Sequence, residues 1–249
     1  MADADLALPS FAKLTTRLHV VGVRADGMHL IDAEMVSLSL CDELRLTSSP
    51  SISVTYIDAR SGKQLDVGPQ DLVTKALTQV GQTARVEVFK NIPPGAGLGG
   101  GSSNAAAVLR HFGYTDVEGA AQLGADVAFC LIGGRAHVRG IGEIVADLEF
   151  EEATFTLLTP PIHCSTPAVY RRWDQLDAEQ RSGHHNDLEP AAMELYPELA
   201  SFRDQLRAAS GLEPMLAGSG STWFVRGSHS TDGTVVAQTV RRQLGADAP

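Results

Sequence analysis

The chain has 249 residues, 43% of them hydrophobic and 20% charged, the balance of one large globular domain or two closely joined ones. Its formal net charge of −10 argues against bulk attraction to nucleic acid or an anionic membrane, and no apolar run approaches the roughly 20 residues of a membrane span. Cys41, Cys130 and Cys164 are odd in number and widely spaced, which disfavours a disulfide framework or a CxxC metal site and makes buried, inert thiols the expectation.

The opening "MADADLALPS" lacks a basic, apolar signal segment, so a cytoplasmic location is expected. From residue 17 to 49, short apolar runs alternate with turn signals such as Ala25-Asp26-Gly27, the pattern of successive strands. "SISVTYI" and "ARVEVFKNI" continue it. Between them, "DLVTKALTQV" sets Leu72, Val73, Ala76, Leu77 and Val80 on one helical face, with Asp71 in the first turn. Then comes "PPGAGLGGGSSN", Pro93 to Asn104, running into "AAAVLRHF", where Ser102 or Ser103 suits a helix cap and the alanines favour helicity. "ATFTLLTPP" reads as a strand, "STPAVYRRWDQL" as a helix with Pro167 in its first turn, and "PELASFRDQLRAAS" as an amphipathic helix. "GLEPMLAGSGSTWFVRG" adds a second small-residue loop between strand-like pieces. No internal repeat or low-complexity linker interrupts the order.

Glycine is costly in an ordered segment, so Gly95, Gly97, Gly99, Gly100 and Gly101 require a reason. A strand, a glycine loop and a helix in succession expose backbone N–H groups and a helix N-terminus to an anion, and phosphate is the natural occupant. A turn needing positive φ is the plainer alternative. Gly95, Gly97 and Gly100 also satisfy GxGxxG, but "YTDVEGAAQLGADV" reads as a turn and a helix where a dinucleotide fold needs a strand ending in an acid. A Walker loop needs a lysine, and none follows Lys90. Protein-kinase signatures of the HRD and DFG type are absent.

"PPGAGLGGGSSNAA" resembles the second motif of the GHMP kinases, in which such a loop wraps the phosphates of ATP. Further blocks extend the likeness from about residue 12 to 224: "AKLTTRLHVVGVRADGMH" (12–29), "GADVAFCLIGG" (124–134), "RGIGEIV" (139–145), "NDLEPAAMELYPEL" (186–199) and "AGSGSTWF" (217–224). Their order is that of the branch which phosphorylates the 2-hydroxyl of a cytidine diphosphate-linked methylerythritol on the non-mevalonate route to isoprenoids.

The resemblance implies a two-lobed α+β fold. A ribosomal-S5-like lobe over residues 1–148 carries the ATP loop, and a lobe over 149–249 has a ferredoxin-like antiparallel sheet with helices. It implies ATP with Mg²⁺, a small-molecule acceptor, and no nucleic-acid or membrane partner. Pro93, Pro94, Gly95, Ala96, Gly97, Leu98, Gly99, Gly100, Gly101, Ser102, Ser103 and Asn104 would cradle the nucleotide, the two serines bonding phosphate or helping to position Mg²⁺. By motif position the catalytic pair is Lys13 and Asp126. A loose phosphoryl-transfer transition state makes proton removal late and undemanding, so an aspartate suffices as acceptor while the lysine steadies the developing alkoxide. Without the resemblance, Asp126 reads as a helix cap and Lys13 as a surface residue.

For the acceptor, Thr15, Met28, His29, Gly218, Ser219 and Gly220 are implied, His29 on the cytosine. Thr222 sits in the same small loop. Three positions depart from the family pattern: Thr15 replaces an asparagine, Met28 an aromatic that stacks on cytosine, and Ala128 a proline. The stretches between Arg110 and Gly124 and between Leu176 and His184 look trimmed. Rival readings are another GHMP-type kinase with a changed acceptor and a non-catalytic nucleotide binder. Arg17, Arg24, Lys90, Arg110, Arg135 and Arg139 are candidates for the positive field around the substrates. His163, Cys164, His184 and His185 lack metal-ligand spacing, and no metal ligand is assigned.

Overall fold

The computed structural model describes residues 6–66, 71–181 and 183–243. Residues 1–5 of the opening stretch and 244–249 at the other end lie outside them. The N-terminal strand signals form one long hairpin. Strands β1 (Leu6–Val23) and β2 (His29–Ser48) pair antiparallel around a turn in which Arg24 N donates to Met28 O (2.8 Å) and Met28 N to Asp26 Oδ1 (3.1 Å).

β2 is long enough to carry β1 on one edge and two strands in tandem on the other, β5 (Ala84–Lys90) and β6 (Arg135–Gly140). Strand β3 (Ser53–Asp58) runs parallel to β5, and β4 (Gln64–Leu65) and β7 (Ile144–Asp147) complete a seven-stranded sheet. A second sheet begins at Thr154. Its strands β8 (Thr154–Leu158), β9 (Met215–Leu216), β10 (Trp223–Arg226) and β11 (Thr234–Gln238) lie antiparallel in the order β11-β8-β10-β9.

Helices α1 (Leu72–Gln79), α2 (Gly100–His111), α3 (Val117–Leu123) and α4 (Ala125–Ile132) follow the first strands, and α5 (Thr166–Trp173), α6 (Glu189–Leu195) and α7 (Leu199–Ser210) belong to the second half. Asp71 is the N-cap of α1, its carboxylate accepting from Val73 N and Thr74 N. α2 starts differently from the serine cap expected. Gly99, at φ +66°, is its N-cap and offers no side chain, so Ser102 and Ser103 fall inside the first turn. β6, β7 and α6, which are only six, four and seven residues long, are not among the elements expected from the sequence. Among the described residues, no helix is long and apolar enough to cross a membrane.

Strand alternation sorts the hairpin's side chains. Ala12, Leu14, Val36 and Leu38 pack with Phe155, Leu157, Ala217 and Phe224 of the second half, each of these eight buried. Phe155 and Phe224 meet edge to face at 5.9 Å, and each large apolar side chain buried there contributes about 1.5–3 kcal/mol. Lys13, Thr15 and Met35 take the opposite face, toward the α2 side and a cleft. Cys130 and Cys164 are buried free thiols, pushed up by burial to about 12 and about 11, whereas Cys41 is only partly buried, short of the expectation for all three.

Candidate active site

The cleft encloses about 820 Å³ between the hairpin, the glycine loop, the start of α4, helix α5 and the loop after β9. Lys13 and Asp126 meet inside it, Nζ to Oδ2 3.2 Å. Lys13 Nζ also donates to Thr15 Oγ1 at 3.1 Å. Asp126 occupies the second position of α4 and makes no capping bond to it, since the N-cap is Gly124. The ammonium is buried and the carboxylate about one third exposed, so the oxygen reaches the cleft while the nitrogen is held from below.

The glycine loop is pressed onto this pair. Lys13 N donates to Leu98 O (3.0 Å), and a Cβ on Gly99 would stand 2.6 Å from Lys13 Cγ. On its other side Thr222 N donates to Ala96 O (3.2 Å), and a Cβ on Gly97, whose φ is +76°, would stand 2.5 Å from Ala217 O and 2.8 Å from Gly220 O. Both obstacles at Gly97 are backbone and cannot swing aside. Gly97→Ala is therefore expected to cost about 1–3 kcal/mol of stability and to raise KM for ATP about tenfold or more as the loop shifts. Thermal unfolding and ATP titration of initial rates check both.

Behind the loop lies a buried polar knot. Asp42, with no exposure, accepts from Lys90 Nζ, from Asn91 N (2.7 Å), from Ile92 N (2.8 Å) and from Asn104 Nδ2 (2.9 Å). Asn104 Oδ1 accepts from Lys90 (3.1 Å), and Ser10 Oγ donates to Ser103 Oγ (2.8 Å), which itself donates to Phe11 O (2.5 Å). Burial pulls the Lys90 ammonium down and the Asp42 charge opposes that shift.

Comparison with known proteins gives the family of the chain. Residues 71–134, which hold the loop and Asp126, match the GHMP kinases N terminal domain. The chain is 37% identical over 232 residues to a protein of Paracoccus denitrificans named 4-diphosphocytidyl-2-C-methyl-D-erythritol kinase, covering 86% of this chain and 84% of the relative. It is 34% identical to a protein of Desulfitobacterium hafniense with the same name, over the same shares. It belongs to the 4-diphosphocytidyl-2-C-methyl-D-erythritol kinase family of GHMP kinases. A crystal structure of 4-(cytidine 5'-diphospho)-2C-methyl-D-erythritol kinase superposes with a TM-score of 0.74 at 28% identity, covering 94% of this chain and 99% of that one. A homoserine kinase structure from Cytophaga hutchinsonii, at 19% identity and a TM-score of 0.63, shares the fold.

Most of the residues singled out in the sequence line this GHMP kinase's cleft: Lys13, Thr15, Met28, His29, the loop from Pro93 to Ser102, Asn104, Asp126, Gly218 and Ser219. Ser103 does not. It is turned into the buried knot, and Gly220 faces a smaller recess beside His163 and Cys164. Thr222 is buried as well, hydrogen-bonded to Thr159 at 2.9 Å. Of the six proposed cations only Lys90 reaches the cleft, already paired with Asp42. Arg17, Arg24 and Arg135 serve carboxylates elsewhere, Arg110 donates to Cys130 O, and Arg139 does not line it.

Helix α5 supplies side chains the sequence did not single out. Tyr170 lies 4.6 Å from the His29 ring, Arg171 and Asp174 join the lining, and burial together with the Asp126 charge raises the Tyr170 phenol well above its usual range. The dipeptide "TP" opening the helix and the aromatic three residues past that proline were the available signal. Nothing local says which way the helix faces. Met28 is about half exposed at the cleft's rim.

Proposed function

We propose that this kinase transfers the γ-phosphoryl of ATP to the 2-hydroxyl of 4-diphosphocytidyl-2-C-methyl-D-erythritol, in non-mevalonate isoprenoid precursor synthesis. The Lys13–Asp126 pair at 3.2 Å beneath the glycine loop carries the reading. In this scheme the bare amides between Gly95 and Gly101, with the first turn of α2, bind the phosphates. Asp126 Oδ2 accepts the hydroxyl proton, and Lys13 Nζ offsets charge on the attacking oxygen and on the transferred group. Thr15 keeps the ammonium aimed. Mutual position and fixed charge do most of the work, because a loose phosphoryl transition state asks for little covalent help.

Mg²⁺ fits as a companion of the nucleotide. Among the described residues no group of three or more His, Cys, Asp and Glu side chains converges to hold a metal, so the phosphates themselves would supply most of its ligands, with Ser102, in the first turn of α2 and lining the cleft, as a donor from the chain. The ion would screen phosphate charge there.

The pyrimidine of the acceptor is assigned to His29 and Tyr170. An aromatic face beside a ring-nitrogen edge suits a flat heterocycle, and stacking on such a face is worth about 1–3 kcal/mol per base. With Met28 exposed at the rim, Tyr170 takes over the stacking expected of an aromatic at that position. Both substrates are highly charged nucleotides that do not cross membranes unaided, which supports a cytoplasmic location.

An ADP-release assay offering the cytidine substrate, mevalonate, homoserine and sugars in parallel decides the acceptor. Turnover is expected with the cytidine substrate alone. A preference for any of the others would transfer the assignment to a different GHMP-type reaction.

A further inference from the structure

His29 and Asp174 are 145 positions apart in sequence, yet His29 Nε2 lies 2.8 Å from Asp174 Oδ1. The imidazole is held on three sides: by that carboxylate, by the Tyr170 ring at 4.6 Å, and edge-on by Trp173 at 5.7 Å. The backbone that carries this carboxylate is itself braced. Asp174 is the C-cap of α5, its carbonyl accepts from Arg181 at 2.5 Å, and the Arg181 guanidinium lies over Trp173 at 4.3 Å. His29 and Asp174 both line the cleft. His29 Nδ1 makes no hydrogen bond to the described residues and is not sealed from solvent, on a residue that lines the cleft.

An ionised carboxylate accepts hydrogen bonds and donates none, so the nitrogen facing it carries the proton. In neutral imidazole the other nitrogen is then a bare acceptor. Resting on the pyrimidine assignment made above, we propose that Asp174 is a positioning residue that fixes the tautomer of His29, and through it the preference of the site for a 4-amino over a 4-oxo pyrimidine. With hydrogen on Nε2, Nδ1 accepts from the exocyclic amine of cytosine. Uracil would bring its O4 lone pairs against the Nδ1 lone pair, leaving two acceptors unpaired. With hydrogen on Nδ1 the preference reverses. Asp174 needs no contact with the base for this effect, in the way a carboxylate behind a metal-bound histidine sets which nitrogen binds.

Two measurements test it. Imidazole ¹⁵N spectra of the unliganded enzyme at neutral pH read the tautomer directly, with a His29→Gln sample assigning the signal. Wild type is expected to show hydrogen on Nε2, and Asp174→Ala a mixture of tautomers. Steady-state rates with the cytidine substrate and its uridine counterpart read the consequence. Asp174→Ala is expected to lower the cytidine preference about tenfold or more through KM, as one misplaced hydrogen bond in a binding site does, while KM for ATP moves less than about twofold. The proposal is overturned by hydrogen on Nδ1 in wild type, by an unaltered spectrum in Asp174→Ala, or by an unaltered preference ratio. Should wild type turn over neither pyrimidine substrate, the acceptor assignment itself is wrong, and the spectra still decide what Asp174 does to His29.

Discussion

Asn in place of Asp126 is expected to lower kcat by about 10²–10⁴-fold, the range of a lost general base, with ATP affinity little changed. The amide keeps the size of the side chain and its place in the first turn of α4, so the cleft persists. It loses the proton acceptor and the charge opposite Lys13, whose Nζ retains Thr15 Oγ1 as a partner. ATP contacts assigned to the loop from Pro93 to Ser102 do not pass through this carboxylate. Single-turnover phosphoryl transfer with saturating ATP, together with calorimetric titration of ATP, separates the two effects. A kcat within about threefold of wild type would remove Asp126 from the chemistry. An equal loss of ATP binding would recast it as part of the nucleotide pocket.

Removing the carboxylate of Asp42 should be the most damaging single change to stability. Lys90 and Asp42 are both nearly sealed from water, and taking one partner from a buried pair costs about 3–5 kcal/mol because the other charge is left uncompensated. Asp42 also receives Asn91 N and Ile92 N, the first amides past β5, which then lose their acceptor. For Asp42→Ala in a chain of this size the expected fall in unfolding temperature is about 10 °C, at roughly 2–4 °C per kcal/mol. Urea denaturation at neutral pH checks it. Asp42→Leu combined with Lys90→Met should recover part of the loss, since no buried charge remains while the two amides stay unpaired. A loss below about 1 kcal/mol in Asp42→Ala would mean that water or Asn104 compensates the ammonium.

Much of this arrangement was legible in the chain because it is written locally. Asp71 before an apolar face of period 3.6 becomes the cap of α1, and glycines before a run of alanines become the loop and α2. Lys13 and Asp126 were legible only through the resemblance, since an isolated lysine and an aspartate near a helix start carry no signal of their own. What escaped depends on contacts across the fold. Whether Ser102 or Ser103 faces the cleft is decided by the buried partners Ser10 and Phe11, more than 90 positions upstream. Lys90 reads as a free cation until Asp42 is brought beside it by the pairing of β2 with β5. Tyr170 and Asp174 became part of the site because α5 packs with their side toward His29, a choice made by tertiary packing.

The seam between Ala96 and Thr222 and between Gly97 and the carbonyls of Ala217 and Gly220 has a consequence for dissecting this enzyme. The loop assigned to the phosphates belongs to the first half of the sequence, yet its curvature is moulded by a segment made more than a hundred residues later. A fragment stopping short of β8 would retain every motif needed to be recognised as an ATP binder while lacking the template that shapes the grip. During synthesis on the ribosome, competence to hold ATP should arise only once the final strands have emerged.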